Sequence, residues 1–160
     1  MSGNSTTLTL NPGTYILINQ NGNLVSSGAM VGTGVTFYNT YSGATNNYRP
    51  IVFSGSSSTN LSAPTSGAYN GVLFYQDTSA ALPASKSNHQ ESVTGSSGAT
   101  FSGALYFPNS PLVFSGGSTT NPENATLYAW TITVSGSASL SNGTGGPGQV
   151  PAITTSRLYE

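Results

Sequence analysis

Short apolar runs, mostly β-branched or aromatic, recur along the chain between stretches rich in Ser, Thr, Asn and Gly. Thr6 to Leu10 (TTLTL) alternates with the period of two of a half-buried strand, and Asn11-Pro12-Gly13 turns the chain into TYILI at Thr14 to Ile18. Gln20-Asn21-Gly22 turns it again ahead of LVSSG and of GVTFY at Gly34 to Tyr38. IVFSG begins at Ile51, GVLFY at Gly71, GALYF at Gly103 and LVFSG at Leu112, all variations on the same phrases. FSGSSSTNLS at Phe53 to Ser62 returns in register as VTGSSGATFS at Val93 to Ser102. Thr14 to Val35 and Phe53 to Phe74 each span 21 residues. No stretch has the i, i+3, i+4, i+7 apolar spacing of a helix, and the Ser, Thr and Gly density opposes one.

A phrase repeated about every twenty residues, with short strands and glycine at the corners, predicts a stacked β-solenoid rather than a single collapsed core. About five coils are expected between Thr14 and Asn142, in one domain spanning residues 1–160, with an N-terminal strand at 6–10 and a tail at 149–160. Insertions at 39–50, 76–92 and 117–124 interrupt the repeat. Aligning GVTFY, GVLFY and GALYF by strand alternation places Val35, Phe37, Val72, Phe74, Ala104 and Tyr106 on one face. Thr36, Tyr38, Leu73, Tyr75, Leu105 and Phe107 fall on the other. Both faces are apolar, so the outer one is expected to be covered, either by the insertions through Tyr41, Tyr48 and Leu82 or by a second copy of the chain. The expected assembly contacts are therefore Tyr38, Leu73, Tyr75, Leu105 and Phe107. Leu8, Leu10, Leu158 and Tyr159 join them, in terminal segments able to cap or extend an open strand edge.

With GTY, NLSAPTSG, GVLFYQD and GALYFPN in view, the chain from Pro12 to about Ser141 resembles the β-helical C-terminal segments of bacterial Tad/Flp pilus-assembly TadE/TadG-like proteins. The LSAPTSG…GVLFYQD and GALYFPNS phrases carry most of the specificity. The resemblance implies a right-handed parallel β-helix on an exported, envelope-associated protein, with no catalytic residues to carry over. The chain lacks the membrane helix and von Willebrand-like portion of that family, so a direct part in pilus assembly is not implied.

Composition narrows the function. The chain of 160 residues is only 4% charged, with Arg49, Lys86 and Arg157 against Asp77, Glu91, Glu123 and Glu160. Three scattered cations cannot neutralise a phosphate backbone, which excludes nucleic acid. Ser, Thr, Gly and Asn supply 82 positions, a surface with little like-charge repulsion to keep copies apart. There is no cysteine and no apolar run of the roughly 20 residues that cross a membrane, so neither a thiolate metal site nor membrane insertion is expected. The start MSGNSTTLTL lacks the basic and apolar regions of a signal peptide, and Met1 reads as native or added. Asp77, His89 and Glu91 are the only minimal acid–base group, and a turn cap or a pairing with Lys86 is the favoured account of Asp77. Thr7/Thr9 and Thr131/Thr133 resemble the threonine ranks of ice-binding solenoids but do not recur in the aligned rungs.

The sequence thus predicts a non-enzymatic, structural, self-associating protein, secreted or on the bacterial envelope exterior, with no cofactor or metal and a homo-oligomer or polymer as its state. The alternative is an adhesin or carbohydrate-binding solenoid stacking glycans on Tyr41, Tyr48 and Tyr69. Ice binding and glycan processing are further alternatives.

Overall fold

The computed structural model describes residues 7–18, 24–26, 28–40, 50–54, 59–78, 89–94, 100–116 and 125–136. Among these residues, eleven strands run in chain order: β1 (Thr7–Leu10), β2 (Gly13–Ile18), β3 (Leu24–Ser26), β4 (Ala29–Thr33), β5 (Val35–Thr40), β6 (Ile51–Ser54), β7 (Asn60–Ser62), β8 (Val72–Gln76), β9 (Glu91–Thr94), β10 (Thr100–Ser115) and β11 (Ala125–Val134). The fold is all-β, with no helix among the described residues. The strands form one curled sheet, a half-barrel in which every pairing is parallel.

The pairings sort into three ladders. In the first, β1, β4, β7 and the start of β10 lie side by side. The second runs β2, β5, β8, the middle of β10 and the first half of β11. The third runs β3, β6, β9 and the ends of β10 and β11. Strands adjacent in a ladder are never joined by a tight turn, because parallel neighbours require the chain to travel away and return. That return is what the repeat in the sequence records.

The core lies on the inner face. Tyr15, Phe37, Phe74 and Phe107 stack along the second ladder with ring centroids 5.6, 5.1 and 6.0 Å apart. Phe101 and Phe53, from the other two ladders, meet Phe74 edge-on at 5.9 and 5.8 Å. Leu61, Leu73, Leu105, Leu112 and Phe114 complete a fully buried set. The buried Gln76 amide is bonded at both ends: Nε2 donates to Ser110 Oγ at 2.7 Å, and Oε1 accepts the Asn109 N–H at 3.0 Å. Thr36 Oγ1 donates to the Val72 carbonyl at 2.8 Å. Such satisfaction is the condition for burying an amide or hydroxyl.

Glycine sets the corner between the first two ladders. Gly34, Gly71 and Gly103, each opening a repeated rung, hold φ of 71°, 75° and 127°, a region closed to most side chains. The second corner, between the second and third ladders, is where the chain leaves β5 and β8 for its long connections to β6 and β9.

The expected register needs three corrections. Thr14 pairs with Thr36, not Val35, so that repeat is 22 residues. Phe53 and Phe74 are not equivalent: Phe53 pairs with Val93 on the third ladder and Phe74 with Phe37 on the second. The third concerns faces. Leu73, Leu105 and Phe107, expected outside, are 0%, 2% and 2% exposed and belong to the core. Tyr106, expected inside, lies outside on Tyr75. The cause is a bulge: Ala104 pairs with Val72 but Leu105 pairs with Phe74, so β8 carries Leu73 as an extra residue and Leu73 and Phe74 both turn inward. The expected pairing of Phe53–Ser62 with Val93–Ser102 is observed in Phe53↔Val93, Asn60↔Thr100, Leu61↔Phe101 and Ser62↔Ser102.

Candidate functional site

Two features of the surface stand out against its small polar residues: a column of tyrosines on the outer face of the second ladder, and the terminal strands. The register opposes Ile16 to Tyr38, Tyr38 to Tyr75, Tyr75 to Tyr106 and Tyr106 to Tyr128. The four rings stack at 5.3, 5.2 and 5.0 Å with interplanar angles of 15°, 18° and 21°. These distances follow from the roughly 4.8 Å spacing of neighbouring strands, which leaves each ring lying against the next.

Among the described residues, a loop lies over part of this column. The chain from Ala63 to Gly71 closes on itself through the Gly71 N–H to the Pro64 carbonyl at 2.8 Å and the Asn70 N–H to the Gly67 carbonyl at 3.2 Å. It brings Tyr69 to 6.0 Å from Tyr38 and 6.2 Å from Tyr75. Tyr41, Tyr48, Leu82, Leu158 and Tyr159 lie outside the described residues. Tyr38 also hydrogen-bonds Asp77, whose carboxylate accepts Thr40 Oγ1 at 2.7 Å.

Burial first, then the Asp77 charge, pushes the Tyr38 hydroxyl above the ordinary tyrosine range; burial and then Tyr128 and Tyr75 do the same to Tyr106. A tyrosine held neutral by the fold contributes stability that is intact below its unfolded pKa and is lost as pH rises through the folded one. The unfolding free energy is therefore expected to fall only above about pH 10, with Tyr38→Phe and Tyr106→Phe each flattening that fall. Melting curves across alkaline pH, read beside tyrosinate absorbance, check this. A Tyr38→Phe protein with an unchanged alkaline profile would overturn it.

The terminal strands carry the second feature. Among the described residues, the exposed large hydrophobics are Leu8, Ile16 and Ile18 on β1 and β2, and Tyr128, Trp130, Ile132 and Val134 on β11. The described side chains of the strands between those ends contribute none. Five of the seven extend an apolar or aromatic column that continues one rung further in, while Ile18 pairs with Thr40 and Trp130 falls in the register shift between β10 and β11. Leu8 pairs with buried Met30, Ile132 with buried Leu112 and Val134 with buried Phe114, while Ile16 and Tyr128 end the tyrosine column. Their exposure, from 43% for Ile132 to 63% for Ile16, is that of a rung with a neighbour on one side only. Leu10 is only half-buried, packed against the core.

Of the residues expected to form an acid–base group, Glu91 is buried, occupies the position of Ile51 and Leu112 in its ladder, and accepts the Ile51 N–H. Asp77 and His89 are half-buried. Among the described residues no three His, Cys, Asp or Glu side chains are placed to hold a metal ion. A cavity between the third ladder and the core rings, lined by Glu91, Phe53 and Phe107 among others, has a volume of about 10 Å³, room for at most one water.

Reading phrases alone misses Ile16, Ile18, Tyr106, Tyr128, Trp130, Ile132 and Val134. The available signal is Leu105-Tyr106 recurring as Leu127-Tyr128, 22 residues on, which aligns β11 with β10 and marks it as the last rung. The chain matches no family model, no curated protein and no solved structure.

Proposed function

We propose that the chain is a structural protein: a right-handed parallel β-helix whose faces are the three ladders, and which self-associates end to end outside the cell or on its surface. One observation carries this reading: among the described residues, the exposed large hydrophobics are confined to β1, β2 and β11, where core and outer columns run out into solvent. An open strand edge with apolar side chains recruits another strand. Soluble solenoids blunt such ends with charge or proline, yet β1, β2 and β11 contain neither Lys, Arg, Asp, Glu nor Pro. The cellular setting rests on the phrase-level resemblance to the pilus-assembly segments and on the 4% charge.

The glycan-binding alternative is weaker on this geometry. A sugar stacks on an exposed aromatic face, and Tyr69, the one expected stacking residue among those described, is half-buried with its ring against Tyr38 and Tyr75. In a purely structural reading Glu91 serves the fold by holding the Ile51 N–H, and Asp77 by holding Thr40 and Tyr38.

Sedimentation velocity across a wide concentration range tests the proposal. The native chain is expected to form large species, and Ile132→Lys, which places an ammonium at the open end of the Leu112 column, to weaken association roughly a hundredfold. A native chain that stays strictly monomeric at high concentration sinks the proposal.

A further inference from the structure

We propose a defined docking between copies, resting on the end-to-end reading above: β2 of one copy adds in parallel to β11 of the next, with Ile16 seated on Tyr128. The occupant of the open β11 edge is thus a second copy of this chain, and its register is set by the columns already present. On the outer face, Ile16 begins the column that Tyr128 ends. With Ile16 over Tyr128, strand alternation places Tyr15 over Leu127, Leu17 over Ala129 and Ile18 over Trp130. Tyr15, Leu17, Leu127 and Ala129 are the partly buried residues packed on the core at its two ends, so both faces match at once. A shift of one residue would set the inward Tyr15 and Leu17 against the outward Tyr128 and Trp130.

Parallel addition also selects polarity. Two like ends meeting about a two-fold axis would pair their strands antiparallel, whereas every ladder in this sheet is parallel. Unlike ends meeting without a closing rotation give an open, unidirectional fibre. Neither terminal edge carries a charged side chain to oppose the approach.

The chain has no cysteine, so introduced thiols report the contact directly. Parallel neighbours about 4.8 Å apart fall within the reach of a disulfide. Full-length Ile16→Cys and Tyr128→Cys proteins are prepared separately, shown to keep the native circular dichroism, then mixed and mildly oxidised. A disulfide-linked heterodimer is expected from the mixture and no linked species from either protein alone. Thr14→Cys with Thr126→Cys, two exposed positions in the same register, is a second pair that leaves the apolar columns untouched. Self-linking of either single variant means that like ends meet and overturns the polarity. A mixture that assembles by sedimentation yet fails to link in both pairs overturns the register while leaving end-to-end association standing. A mixture that stays monomeric, as when the chain's own terminal residues cover β11, overturns both.

Discussion

Replacing Phe74 by alanine is expected to lower the unfolding free energy by about 4 kcal/mol, the middle of the range for deleting a buried phenylalanine. Phe74 is 1% exposed and sits where the three ladders face one another, with Phe37 and Phe107 stacked along its own ladder and Phe53 and Phe101 meeting it edge-on. Phe74 lies mid-ladder, so its loss removes ring contacts on both sides. For a chain of this size the loss corresponds to a melting temperature lower by roughly 8–16 °C. Thermal unfolding followed by circular dichroism measures it, with Tyr128→Ala, 47% exposed on the last strand, as the comparison expected to cost under about 1 kcal/mol. Equal losses at the two positions would contradict a core centred on Phe74.

Gly103→Ala is expected to cost about 3 kcal/mol, from two additive causes. Its φ of 127° lies where a Cβ is strained, and that Cβ would come within 2.5 Å of the Ala63 Cβ and 3.1 Å of the Gly71 carbonyl oxygen. Neither neighbour is the free end of a flexible side chain, so the strands at this corner must separate. Gly67, with φ of 87° but nothing within 4 Å of its added Cβ, isolates the first cause, and Gly67→Ala is expected to cost only about 1–2 kcal/mol. Chemical denaturation of the two variants separates strain from collision. Equal costs would place the whole effect in the backbone.

The strands and their parallel stacking were legible because the sequence repeats itself: GVTFY, GVLFY and GALYF do lie in one ladder, and Val93–Ser102 does pair with Phe53–Ser62. The faces were not, because alternation presumes an unbroken strand. A single extra residue, Leu73, inverted the assignment for Leu73, Leu105, Phe107 and Tyr106, and no local signal distinguishes a bulged VLFY from a regular one. Likewise Ile16 and Ile132 read as ordinary strand residues. Their exposure depends on being in the first and last rungs, a property of position in the stack that composition does not encode. Tyr69 was legible as an aromatic in a polar loop, but its return over Tyr38 depends on the closure of the Pro64–Gly71 turn.

Rung partners lie at unequal distances along the chain: Tyr106 and Tyr128 are 22 residues apart, Phe37 and Phe74 are 37, and Val52 and Ser92 are 40. The surplus chain leaves at corners, while the ladders keep their hydrogen bonds. Length is therefore a free variable at the corners and a fixed one inside a rung. Foreign peptides grafted between β5 and β6 or between β8 and β9 meet a site where long connections are already accommodated, so cargo placed there leaves the ladders on either side paired.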